Sequence, residues 1–267
     1  MENAITAARP GGGLKTEKMP GHWVLARMGK RVLRPGGMEL TRRMLAALRV
    51  GLSDDVVEFA PGLGVTARLA LALNPKSYVA VERDESAAAV VRHYLEGAGR
   101  RCVLGSAAAT GLPAGSATVV YGEAMLTMQT EEEKRRIVRE ASRLLKPGGR
   151  YAVHEMCLRD GVEGEVRKEV ERALTGTVHH GVRPLTVSEW RGLIEGEGFV
   201  VKAAEVAPMA LLEPARVVAD EGLMRALRFA FNVLRDADAR RRVFEMRKVF
   251  RRHRDQIAAV MLTAERQ

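Results

Sequence analysis

Hydrophobic and polar positions follow two periods along this chain. Short unbroken apolar runs (Val56-Val57, Tyr78-Val79-Ala80-Val81, Val119-Val120-Tyr121, Tyr151-Ala152-Val153) are bounded by turn residues. Such runs predict strands covered on both faces. Between them, apolar residues recur every three or four positions over Val65 to Leu73, Glu85 to Gly97 and Glu131 to Leu145, which predicts helices. That alternation predicts an α/β domain on a parallel sheet. Further on, helices are expected over Glu163 to Leu174 and over Glu189 to Gly196, the latter capped by Thr186 or Ser188. A strand starts at Gly198, and a last one covers Ile257 to Thr263. Near the start, Trp23 to Leu33 predicts a short amphipathic helix stopped by Pro35-Gly36-Gly37, and Thr41 to Arg49 another.

Chemistry concentrates at Val56 to Gly64, a strand, a glycine turn and a helix start. In an open α/β sheet a ligand sits outside the carboxyl end of such a strand. Gly62 and Gly64 let the backbone approach that ligand closely, since no Cβ intervenes. Glu58 is expected at the rim of the crevice. The second strand ends in Glu82, beside Arg83 and roughly 20 residues after the turn, where nucleoside-binding sheets hold ribose hydroxyls. Position 67 is alanine where a dinucleotide fingerprint has glycine, and no Lys-Ser/Thr follows the turn. A ribose acid without a pyrophosphate cradle points to a nucleoside lacking a phosphate chain, such as S-adenosylmethionine.

Three further stretches extend the pattern: Val103-Leu104-Gly105-Ser106-Ala107, Leu112-Pro113 through Val119-Val120-Tyr121, and Leu144-Leu145-Lys146-Pro147-Gly148-Gly149 into Arg150-Tyr151. With them, residues 38–206 resemble the class I S-adenosylmethionine-dependent methyltransferases, specifically the small-molecule methyltransferase domain. The resemblance implies a Rossmann-like, seven-stranded, mostly parallel sheet with helices on both faces. It also implies an antiparallel last strand between strands five and six, with a helical cap inserted before it. The cofactor residues it implies are Glu58, Ala60, Gly62, Gly64, Glu82, Arg83, Ser106, Ala107 and Glu123. Ala60 replaces the family's first glycine, Ser106 its adenine-side aspartate, and the strand-four aspartate is missing.

Domain limits follow: 1–37 a disordered start (Pro10-Gly11-Gly12-Gly13) and lid helix, 38–206 the core with an acceptor-pocket loop at 156–188, 207–255 the cap, and 256–267 the final strand. In the cap, Leu223, Leu227, Ala230, Phe231 and Leu234 form one apolar stripe and Val243, Met246, Val249 and Phe250 another. Each stripe is expected to bury itself against the sheet or a ligand, so the acceptor is at least partly hydrophobic. Trp23 either faces the ligand or anchors the lid.

The formal charge of +10 is uneven. Residues 1–37 carry +5 and 214–254 carry +7, while 38–213 are close to neutral. The basic segments are either a solvated helical face in an arginine-rich chain or a surface for an anionic partner, nucleic acid or membrane. No apolar run reaches about 18 residues, so no span is expected, and without a signal pattern the cytoplasm is the expected compartment. Two cysteines, Cys102 and Cys157, exclude a disulfide framework or a thiol zinc site, and no metal is expected. Cys102 is read as buried.

Methyl transfer from a sulfonium is an in-line displacement that needs alignment and dryness more than a fixed triad. Glu123, after strand four, is expected nearest the sulfonium, holding the methionine ammonium, steadying the cation or accepting a proton. His179 or His180, or His154, are the candidate bases if the acceptor needs one; a loop histidine can equally face solvent. Three functions stay open: a small-molecule methyltransferase acting as monomer or homodimer, an RNA or protein methyltransferase using the basic segments, and a non-catalytic S-adenosylmethionine-binding protein.

Overall fold

Glycines and caps decide where the elements begin. The computed structural model describes residues 15–267, so the Pro10-Gly11-Gly12-Gly13 stretch lies outside the described residues. Helix α1 (Gly21–Arg27) is shorter than expected, because Gly29 at φ 105° turns the chain. Gly36 at φ 75° then caps α2 (Gly37–Leu48), so the Pro-Gly-Gly run opens a helix instead of closing one.

Next come β1 (Asp55–Phe59), α3 (Val65–Ala72), β2 (Ser77–Glu82), α4 (Glu85–Arg92) and β3 (Arg100–Leu104). The second half starts with β4 (Ala117–Glu123), α5 (Glu131–Leu144) and β5 (Leu145–Leu158). It continues through α6 (Gly164–Val178), β6 (Leu185–Thr186), α7 (Val187–Glu195) and β7 (Phe199–Pro208). Thr186 is the cap of α7, in a reciprocal capping box with Glu189. The insertion is three helices, α8 (Pro214–Glu221), α9 (Leu223–Arg235) and α10 (Ala237–Arg252), before β8 (Ile257–Arg266).

The strands form one sheet in the order β3-β2-β1-β4-β5-β8-β7. All pairings among β1 to β5 are parallel, and β8 runs antiparallel to both β5 and β7. The sheet has eight strands, not seven. β4 stops pairing at Glu123↔His154, and Leu185-Thr186 takes up the edge that β5 offers beyond it, at Cys157 and Leu158. Strand order reverses between β1 and β4, the switch point where α/β sheets hold ligands.

Two apolar layers sandwich the sheet. Val57, Phe59, Val120 and Val153 pack on one face, and Val56, Tyr78, Tyr121 and Met44 on the other. Cys157 is buried, whereas Cys102 is only partly so, because β3 is the edge strand. A third layer beyond the sheet joins Val24, Leu174, Phe229 and Met246. The α10 stripe enters it as expected, with Val243, Met246 and Phe250 buried. The α9 stripe does not. Ala226, Phe229 and Val233 turn inward, and Leu223, Leu227, Ala230, Phe231 and Leu234 face out. Asn232 donates to the Met28 carbonyl at 2.9 Å and fixes that rotation.

Candidate active site

The turn after β1 is bent by Ala60 at φ 50° and Gly62 at φ 56°. Ala60 N–H donates to the Val81 carbonyl at 2.8 Å, tying the turn to β2. Glu82 then holds both strand exits: one oxygen accepts from Gly62 N–H at 3.1 Å, and the other from the N–H groups of Arg83 and Asp84 at 2.9 and 3.0 Å. A cavity of about 330 Å³ opens here, and Ala60, Gly62, Glu82, Arg83, Ser106 and Ala107 line it. These are six of the residues that the spacing and the resemblance named.

Two other residues depart from expectation. Gly62 adopts a positive φ that side chains rarely take, and a Cβ there would meet no protein atom within 4 Å. Gly64 turns toward Tyr94, whose ring a Cβ would meet at 3.0 Å, and it caps α3 away from the cavity. Glu58 is not at the rim. Its side chain lies buried between Tyr78 and Tyr121, whose hydroxyls both donate to it, the latter at 2.9 Å. Tyr121 is its register partner on β4, so strand alternation turns Glu58 into the layer beneath the sheet. Burial, with the nearby Glu123 charge, pushes its carboxyl up to about 7.

Glu123 does line the cavity, at the end of β4. Its carboxylate accepts from Thr41 Oγ1 at 2.6 Å, from Thr66 Oγ1, and from His154 Nδ1 at 2.7 Å, with Arg34 Nε at 3.3 Å. Burial alone would raise this carboxyl. The Arg34 charge and the His154 and Thr41 bonds outweigh burial and hold it at about 2. His154 itself stands behind Glu123, fully buried, with its other nitrogen on the Pro35 carbonyl, and it does not line the cavity. It therefore positions Glu123 and is not exposed to a substrate.

The loop after β4 is clasped by Glu155, which no spacing rule singled out. Its carboxylate accepts from the N–H groups of Met125, Leu126 and Thr127 at 2.9, 2.7 and 3.1 Å and from Thr127 Oγ1 at 2.7 Å. Adjacent strand residues point to opposite faces, so His154 and Glu155 serve two sides of one strand end.

Beyond the loop the lining becomes apolar: Met156, Met209, Leu211, Met246 and Phe250, with Trp23. Trp23 also packs on the buried cluster beneath the cap, so it both faces the cavity and anchors α1. Of the histidine pair, His179 is exposed and closes α6 at φ 54°, while His180 lines the cavity. The left-handed residue at the helix end decides which one turns in. His22 lines the cavity too, a position that residue order offers no reason to choose. Burial, helped by His180, pushes its imidazole down to about 4.

The wall is fastened from far along the chain. Glu221 accepts from the N–H groups of Arg31 and Val32 at 2.7 and 2.8 Å, and Asp220 from Met38 N–H at 2.9 Å. Lys30, fully buried, lies 3.8 and 3.9 Å from these two carboxylates. No group of three or more His, Cys, Asp or Glu that could hold a metal ion occurs among the described residues. Among them, too, no helix is long and apolar enough to cross a membrane.

Comparison with known proteins agrees with this geometry. The family described as "Methyltransferase domain" matches residues 57–153. An uncharacterized protein of Haemophilus influenzae is 33% identical over 237 residues, covering 86% of this chain and 91% of that protein. The crystal structure of MccD protein superposes with TM-score 0.68 at 15% identity, over 88% of this chain and 99% of that one. Geranyl diphosphate C-methyltransferase from Streptomyces coelicolor A3(2), solved with Mg2+, geranyl diphosphate and S-adenosyl-L-homocysteine, gives 0.63 at 14%, over 86% and 79%. The domain match spans the strand, turn and acid that frame the cavity, and the chain belongs to the class I S-adenosylmethionine-dependent methyltransferases.

Proposed function

We propose that this enzyme methylates a small, partly hydrophobic metabolite held beneath the cap. One observation carries the proposal. A single cavity runs from Gly62, Glu82 and Ser106 to Met209, Met246 and Phe250, so a nucleoside end and an apolar end share one space. The first end suits an adenosyl group. Glu82 offers a carboxylate to ribose hydroxyls, Ala60 and Gly62 bend around the amino-acid tail, and Ser106 and Ala107 stand where the resemblance expects adenine. No phosphate-gripping lysine follows the turn.

When bound, S-adenosylmethionine supplies a methyl carbon already activated on a positive sulfonium. The acceptor's electron pair forms the new bond while the carbon–sulfur pair stays on sulfur. The protein's share is alignment and exclusion of water. Glu123, held at about 2 with both oxygens engaged, suits a neighbouring cation and is a poor proton acceptor. His22, pushed down to about 4 by burial, is neutral at physiological pH and only a weak base, so with His180 it can accept a hydrogen bond from the acceptor's hydroxyl or amide. The apolar lining favours a hydrophobic metabolite over the bases or charged side chains of a polymer.

The test is incubation with methyl-labelled S-adenosylmethionine and a panel of phenols, isoprenoid alcohols and fatty acids. Release of S-adenosylhomocysteine is expected with at least one class. The double variant His22→Ala/His180→Ala should slow it without changing S-adenosylhomocysteine affinity. Label appearing only on RNA or protein would overturn the proposal, as would tight cofactor binding with no release across the panel.

A further inference from the structure

The outward face of α9 has no role in the site just described. Leu223, Met224, Leu227, Phe231 and Leu234 are each 56–77% exposed there. They follow helical spacing along roughly 20 Å of helix, at 1.5 Å per residue. Soluble surfaces seldom gather this much contiguous apolar area without a partner. The helix carries Arg225, Arg228 and Arg235 and no aspartate or glutamate. The Arg235 guanidinium lies 5.2 Å over the Phe231 ring, so cation and apolar ring share one surface. The segment 214–254 around it is +7, against a nearly neutral 38–213.

We infer that α9 docks the cap onto an anionic lipid surface, with its apolar stripe among the acyl chains and its arginines at the headgroups. A helix of this composition lies in the plane of the interface, and cations beside the stripe are drawn to acidic lipid. A second copy of the chain fits less well. The stripe is a single face of one helix, whereas a stable dimer buries roughly 800 Å² per partner over about 20–30 residues a side. A two-fold pairing would also set arginine rows against each other. Because Ala226, Phe229 and Val233 hold the other face, the stripe can change without disturbing the packing beneath it.

Flotation of the full chain with phosphatidylcholine vesicles, with and without roughly 30% phosphatidylglycerol, tests this. Binding is expected to the acidic vesicles, at least about tenfold above phosphatidylcholine alone, and to weaken with salt. L227E/F231E should lower it by at least about tenfold, with thermal midpoint and S-adenosylhomocysteine affinity unchanged. R225Q/R235Q should remove most of the preference for acidic lipid. The inference fails if the wild type does not float with acidic vesicles at low salt, or if L227E/F231E floats equally well. It also fails if the chain self-associates through Leu227 and Phe231 and ignores lipid. Vesicle binding requires no acceptor, so either result leaves the methyl-transfer proposal to its own test.

Discussion

The two ends of the cavity are held by different kinds of contact. At the cofactor end, Gly62 meets Glu82 only 20 residues away, and Ala60 meets Val81 through the parallel ladder. At the acceptor end, Arg31 meets Glu221 across 190 residues and Met28 meets Asn232 across 204. Arg242 reaches the Thr16 carbonyl across 226. The first end is a local product of strand, turn and strand. The second exists only when the start of the chain and the insertion close on each other, so chemistry specific to the acceptor is placed on the part with the higher loop-closure cost.

This contrast can be broken by mutation. Glu221→Ala should have the largest effect, about 3–5 kcal/mol of stability, because it leaves Lys30 buried beside a weakened partner set and strands two backbone N–H groups. Urea unfolding reads the loss, and an unchanged midpoint would show that the long-range clasp is not holding the acceptor end. S-adenosylhomocysteine affinity should fall little in folded protein.

Glu58→Gln tests the layer beneath the cofactor end. With its folded value raised to about 7, the carboxyl's contribution is complete below its ordinary value and is lost as pH rises through 7. Wild-type stability should therefore fall relative to the amide variant between pH 5 and pH 8.5 by on the order of 2–3 kcal/mol. The amide variant should lack that fall and gain on the wild type toward the alkaline end, while both keep the rise that His22 contributes below about pH 6.5. Parallel pH profiles would mean that Glu58 does not titrate there. Glu82→Ala is expected to weaken cofactor affinity by about 1–3 kcal/mol by calorimetry, and to lower stability as well, because it strands the N–H groups of Gly62, Arg83 and Asp84. Equal affinity would take Glu82 out of the cofactor end altogether.

What could be read from residue order tracks the same divide. Gly62 and Glu82 are legible as cavity-lining positions because each is set by its own strand end and a fixed spacing, and Ser106 and Ala107 through the family resemblance. Glu58 departs from the expected rim position because a strand-end acid and a cavity-facing acid look alike in sequence; the Tyr78 and Tyr121 hydroxyls decide. His180 replaced His179 through one left-handed residue at a helix end, which no periodicity encodes. Arg34 and Glu155 gave no local signal, since their partners lie on other elements, and His22 matters only because α1 lies along the cavity. The α9 stripe was real, but amphipathicity alone does not say which face turns in. Asn232 does.

The place of β8 has a consequence for biosynthesis. β7 pairs only with β8 among the described residues, and β8 bridges it to β5. Until residues 257–266 clear the ribosome, the edge of β5 away from β4 is bare and β7 hangs unattached, with the entire insertion already synthesised. Nascent chains paused before that point should therefore present bare strand edges, which are what holdase chaperones protect.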